Sequence, residues 1–293
     1  MTKNETGGAT LLISCLFVLL WSTGFIVGRL IVDSASPNIF LAIRFFLSFL
    51  LFAAIAMALR KKFPPVTEWH KHALAGLFIN GIYLGGSYWA ISQGFPAALM
   101  ALLGALQPAF TMVIGLMFMQ ENVRPIQATG IVVGLAGVAM VLFPTIGQPG
   151  QQSYTIVVPL VALVSVLSIT WGTILQKMSI AKSELLPSLA IQNASATITA
   201  AALAFLLGES RLSLSGEFLF ALSWAVLILS GLGTYLLILL VRGGSATKTT
   251  SLMLLAPPLA ALEAWLLFGD KLMSLQIFGF ALALLGVGLC RKK

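Results

Sequence analysis

Residues Ser245–Gln276 read SATKTTSLMLLAPPLAALEAWLLFGDKLMSLQ. This is an apolar segment of membrane length, interrupted near its middle by Pro257-Pro258 and followed by a short charged turn and Gln276. Moved back 149 positions, it falls without a gap on Pro96–Gln127, which has the same plan. Pro257 then meets Pro108, Asp270 meets Glu121 and Gln276 meets Gln127. Just beyond, Gly279 meets Gly130 and Gly286 meets Gly137. A proline-broken membrane helix at matching places in two halves is the sequence mark of a central site built from interrupted helices.

Working outward, the whole chain fits that setting. Its 293 residues are 59% hydrophobic and 9% charged, against about 25% charged in ordinary soluble domains, and the mean hydropathy is +1.01. These values specify an integral membrane protein. The net charge of +8 would suggest nucleic acid in a soluble protein, but here no nucleic-acid partner is expected and the placement of the charges decides. Cys15 and Cys290 lie in separate apolar runs and read as small hydrophobes, without metal-type spacing. No small-residue cleavage site follows Leu11–Leu20, so the first apolar run reads as a retained span.

A helix needs about 20 apolar residues to cross the bilayer core. Ten segments qualify: Thr10–Ile31, Pro37–Leu59, His72–Gln93, Ala97–Phe118, Pro125–Phe143, Thr155–Gln176, Leu185–Leu207, Glu217–Val241, Ala246–Phe268 and Met273–Cys290. The uncharged stretch Pro144–Tyr154 joins two equal halves, 1–145 and 146–293. With both termini in the cytoplasm, thirteen Lys and Arg lie at inner loops and ends, and three (Arg29, Arg211, Lys271) at outer ones. This satisfies the positive-inside rule. Five spans per half turn the second half upside down, giving two five-helix inverted repeats in an all-α, ten-helix bundle. Trp21-Ser-Thr-Gly-Phe and Trp171-Gly-Thr-Ile-Leu repeat 150 positions apart, as do Pro37 and Pro187.

These landmarks resemble the EamA type of the drug/metabolite transporter superfamily. The likeness covers both halves: an early Trp-Ser/Gly-Thr, a proline in the fourth helix, an acidic turn, then Gln and Gly. The resemblance implies a multi-pass protein of the cell's inner membrane that exports amino acids, related metabolites or toxic compounds by alternating access. The chain is similar in kind to aromatic amino-acid exporters; an exporter of cationic drugs or toxic compounds and a non-transporting structural membrane protein are the alternatives. Small multidrug pumps of the same superfamily couple to protons through a first-helix glutamate, and Leu11–Ile31 has no acidic residue.

The residues suggest where a substrate would sit. Pro108, Pro257 and Pro258 interrupt helices, and the carbonyls four residues before Pro108 and Pro257 need another partner. Arg44 and Glu263 are ionisable groups within spans, about 10 and 8 Å deep at 1.5 Å per residue. They serve as gate or coupling residues, or else as a structural ion pair, with snorkelling open to Arg44. Polar stripes run along Asn80, Tyr83 and Ser87, along Ser165, Ser168 and Gly172, along Ser188, Gln192, Ser195 and Thr199, and along Thr247, Thr250 and Ser251. They suit a solvated cavity or interhelical hydrogen bonds. Trp21, Tyr83, Trp89, Trp171 and Tyr235 offer aromatic walls, and Asn80 and Gln107 offer neutral polar groups at depth. The small residues Gly130, Gly134 and Gly137, with Gly279, Ala283 and Gly286, read as scaffold or dimer contact, so a monomer and a homodimer are both compatible.

Other function classes find little support. The spans hold no histidine cluster, carboxylate pair or Gly-x-Ser-x-Gly, and His70 and His72 do not share a helix face, so neither enzyme, metal nor cofactor is expected. An ATP-driven pump would need a phosphate loop, which is missing. Glu263 is the one carboxylate well inside a span. Proton exchange through it and facilitated diffusion are both compatible with the sequence.

Overall fold

The computed structural model describes residues 3–104, 107, 110–111, 114, 125–142, 155–179, 183–236, 256–269 and 273–290. Among these the regular structure is helical, joined by short turns and irregular stretches, with one isolated β-bridge. Six helices are long and apolar enough to cross a membrane: Leu12–Leu30, Pro37–Ala58, Val66–Ser92, Val157–Gln176, Leu185–Leu206 and Gly216–Leu236. Shorter described helices cover parts of the fourth, fifth, ninth and tenth expected spans, at Ala97–Gly104, Pro125–Leu142, Ala256–Phe268 and Ser274–Cys290. Pro257 and Pro258 fall within the helix Ala256–Phe268. Pro108, Glu121, Asp270 and the stripe Thr247–Ser251 lie outside the described residues.

Glycine decides the closest helix contacts. A Cβ on Gly137 would lie 2.5 Å from Gly279 O and Ala283 N, and one on Gly286 2.4 Å from Gly134 N. The fifth and tenth spans are thus packed backbone to backbone within one chain, and the order of these contacts makes them antiparallel. In the third span, Gly76 lies against the Gln192 backbone, Gly81 against Thr199 and Gly85 against Leu203. The third and seventh spans therefore run parallel. Gly86 meets Ser165, while Gly172 meets Phe78 and Ile79, so the sixth span runs antiparallel to the third. Ser195 Oγ donates to Ala73 O at 2.8 Å and Ser168 Oγ to Phe78 O at 2.9 Å. Part of the polar striping thus serves helix–helix contact.

Three helices depart from the regular spans expected. The first breaks into Lys3–Ser22 and Gly24–Leu30. Ser22 and Thr23 hydroxyls take the Leu19 and Leu20 carbonyls at 2.8 and 2.7 Å, competing with the backbone ladder as such side chains do. The third and eighth spans contain π-helical turns, at Leu77–Ile82 and Trp224–Leu232. Those turns overlap when shifted by the repeat offset. π turns are rare and concentrate at functional sites.

The second and seventh spans end alike. Lys61 N–H returns to Ala56 O and Glu209 N–H to Ala204 O, both at 2.8 Å. The residue before each is left-handed: Arg60 at φ 50° and Gly208 at φ 65°. The Gly208 cap turns the chain so that Glu209 reaches the start of the second span. Its carboxylate accepts Asn38 N–H at 2.8 Å and Asn38 Nδ2–H at 2.7 Å, a favourable place for negative charge at a helix N-terminus. Alongside, Ser36 N–H donates to Arg211 O and Ser213 N–H to Ser34 O, each at 2.8 Å, around the bridge Ala35–Leu212. At the other end of these helices Lys61 Nζ meets Glu184 at 3.3 Å.

Candidate functional site

The site is built around the break in the first span. Its three residues, Ser22, Thr23 and Gly24, each bond to a different helix. Ser22 Oγ lies 2.6 Å from Glu263 Oε1 of the ninth span. Thr23 Oγ1 accepts Trp224 Nε1–H of the eighth at 2.9 Å. Gly24 O accepts the Tyr88 hydroxyl of the third at 2.7 Å. The repeat is visible here: Thr173, 150 positions after Thr23, accepts Gln107 Nε2–H of the fourth span at 3.0 Å. Both threonines donate backward to a carbonyl of their own helix, Leu20 O and Ile169 O, at 2.7 Å.

The two intramembrane charges do not pair with each other. Arg44 Nη1 donates to the Tyr88 hydroxyl at 3.2 Å, and its guanidinium lies 5.8 Å from the Phe45 ring centre. With 8% of its surface exposed, Arg44 does not snorkel. Tyr88 is fully buried. Its ring lies against Gly28, where a Cβ would stand 3.1 Å away, and stacks on Phe40 at 6.3 Å. Glu263 instead takes the neutral Ser22 hydroxyl; its second oxygen is buried with no partner among the described residues. Arg44 Nε is likewise unpartnered.

Space and aromatic surface lie next to the break. A Cβ added to Gly24 would meet nothing within 4 Å. Among the described residues, one added to Gly104 would meet the Tyr83 hydroxyl at 3.7 Å and Phe25 Cζ at 4.0 Å. Phe25 and Tyr83 meet edge to face at 6.4 Å, and Trp89 packs beside them on the cluster of Leu99, Met100 and Leu103. Gly104 lies three residues before Gln107 in the sequence. Of the expected residues, Tyr83 and Glu263 thus meet the middle of the first span, Gln107 bonds instead to the sixth span, and Asn80 sits in the π turn just before Tyr83.

Other expected residues lie elsewhere. Gln192 is buried against the third span near Gly76, its Nε2 without a partner among the described residues. Trp171 is half-buried, next to the tightly packed Gly172. Trp21 packs on Phe17 at 5.4 Å, and both Trp21 and Tyr235 keep wide exposure. Sequence reasoning missed Ser22, Thr23, Phe25, Tyr88 and Trp224. The signal for the first two was in hand: two hydroxyls and a glycine in a row inside an apolar span. Among the described residues no group of three or more His, Cys, Asp or Glu could hold a metal.

This arrangement offers hydrogen-bonding groups, one carboxylate and aromatic faces around open space, on helices that are broken or irregular. Comparison with known proteins identifies relatives and a family. YedA of Escherichia coli K12, named an inner membrane transporter, is 30% identical over 131 residues, which are 44% of this chain and 42% of YedA. The chain thus matches less than half the length of YedA. The transporter YvbV of Bacillus subtilis 168 is 21% identical over 97% of this chain and 92% of its own. One crystal structure superposes with a TM-score of 0.63 at 20% identity, covering 97% of this chain and 96% of that one, and shares the fold. The model of the EamA-like transporter family matches twice, at residues 8–143 and 157–291, and the chain belongs to that family.

Proposed function

We propose that the protein is a secondary transporter of the inner membrane that exports small amine-bearing metabolites, with aromatic and large neutral amino acids foremost. It is not an enzyme and works by alternating access of one transport unit, formed from two oppositely oriented repeats with both termini in the cytoplasm. The observation that carries this reading is Glu263 beside the break, with one carboxylate oxygen left without a partner among the described residues. That oxygen suits a substrate ammonium or a proton. Tyr83, Trp89, Trp171, Trp21 and Tyr235 supply ring surface, while Asn80, Gln107 and Gln192 supply neutral polar groups. Glu263 serves in coupling and Arg44 in holding the gate.

A second reading, export of aromatic cations, draws on the same charges. An amine without a carboxylate needs Glu263 alone, and Arg44, which donates to Tyr88, does not pair with Glu263. Uptake of a labelled amino-acid panel and of aromatic amines into proteoliposomes, with and without a pH gradient, separates the two. Flux of large neutral amino acids supports the first reading. Flux of amines alone supports the second, and no flux of either class defeats both.

A further inference from the structure

The hydrogen count at Ser22 shows more than a simple contact. Its Oγ lies 2.6 Å from Glu263 Oε1 and 2.8 Å from Leu19 O, two acceptors when the carboxyl is ionised. A hydroxyl carries one hydrogen, so it cannot donate to both. Leu19 O would ordinarily take the Thr23 N–H of an unbroken helix. That N–H instead points to Leu20 O at 3.3 Å. If Glu263 holds a proton, every short contact is satisfied: the carboxyl donates to Ser22, and Ser22 donates to Leu19 O. If Glu263 is ionised, one of the two contacts is left without a hydrogen.

We propose that Ser22 transmits the protonation of Glu263 to the backbone of the first span. This rests on Glu263 being the coupling residue proposed above. When Glu263 releases its proton, the carboxyl O–H bond breaks and the proton passes to a water molecule. The new carboxylate takes the Ser22 hydrogen, and Leu19 O loses its donor. Leu19 O regains one only if Thr23 N–H returns to it, which closes the break and makes the first span continuous. That shift pulls Thr23 from Trp224 and Gly24 O from Tyr88, so the eighth and third spans register the event. Glu263 thereby reaches three helices through one hydroxyl.

The charged surroundings leave Glu263 as the group that switches. Its helix packs against the fourth span, whose described part Ala97–Gly104 has no titratable residue. On the first span Arg29 lies over the Phe268 ring at 5.7 Å, at the end of the same helix. The neighbouring face of the eighth span presents Leu232 and Leu236, and Tyr235 is the titratable residue between them in its described part. Arg44 stays on Tyr88.

The test uses the full-length protein in nanodiscs, at mildly acidic and mildly alkaline pH, with no substrate. The carbonyl stretch of a protonated carboxyl, assigned by its loss in Glu263→Gln, reports the proton. Amide exchange over Leu19–Phe25, corrected for intrinsic rate, reports the break. In the wild type both change over the same pH range. In Glu263→Gln, whose carboxamide can still donate to Ser22, exchange is insensitive to pH. In Ser22→Ala the carboxyl still titrates but exchange no longer follows it, and Ser22→Thr restores the link. An exchange response in Ser22→Ala equal to that of the wild type overturns the proposal. So does wild-type exchange that ignores the carboxyl titration, a result that decides the matter even if Ser22→Ala fails to insert. Flux on the same samples is scored separately: titration without transport defeats the transport reading alone.

Discussion

Tyr88 is the residue on which the site's rigidity turns. Its one hydroxyl accepts from Arg44 and donates to Gly24 O, so removing it leaves a buried charge and a buried carbonyl short of a partner. Tyr88→Phe is expected to destabilise by about 1–3 kcal/mol, seen as a lower thermal midpoint in detergent; an unchanged midpoint would show that water replaces the hydroxyl. Gly24 predicts the opposite pattern. Nothing lies within 4 Å of an added Cβ, so Gly24→Ala should fold normally while filling part of the space beside the break. Substrate KM then rises with little loss of stability, and a drop in stability would place Gly24 in packing instead. Glu263 and Arg44 could be picked out from the sequence because charge inside an apolar run is conspicuous. Their hydroxyl partners could not, since a serine or tyrosine in a span is ordinary and only distance shows what it touches.

At the scale of helices, the apolar runs were legible and their irregularities were not. Hydropathy measures how much of a segment prefers lipid; it does not register which carbonyl receives which N–H. The break at Thr23 and the two π turns are changes of hydrogen-bond register, and they leave the hydropathy of the span untouched. The glycines carried more information. Those of the fifth and tenth spans, read as scaffold or dimer contact, lie in backbone contact with each other within the chain. Gly76 is placed more tightly still, with a Cβ position 2.2 Å from Gln192 O. Gly76→Ala therefore forces the third and seventh spans apart and should cost about 1–3 kcal/mol, measurable as loss of the monodisperse peak on heating. Arg60 offers the converse. A non-glycine residue in the left-handed region costs roughly 1–2 kcal/mol, and Gly208 already fills the equivalent cap. Arg60→Gly should raise the thermal midpoint.

Across the whole molecule, the repeat places similar contacts at opposite ends. The turn after the first span pairs with the turn before the eighth through Ala35 and Leu212, and Lys61 meets Glu184 at the far end of the same helices. If the first of these opens during transport, a cross-link should stop the cycle. Antiparallel bridge partners have Cα atoms about 4.5–5.5 Å apart, within disulfide range. With Cys15 and Cys290 replaced, the pair Ala35→Cys and Leu212→Cys should lose flux on oxidation and regain it on reduction. Flux that persists when oxidised would make this contact a fixed strut.

The Asn38–Glu209 contact also bears on how the protein is made. A chain enters the bilayer from its N-terminus, and the start of the second span must wait for a carboxylate 171 residues later to receive its two N–H groups. Until then the first half is an unfinished product, with its second span unsealed and the third lacking the surface of the seventh that fits Gly76, Gly81 and Gly85. A ribosome stalled at the midpoint would therefore display a client for membrane proteases rather than a half-sized protein. Two separately synthesised halves would survive only by finding each other.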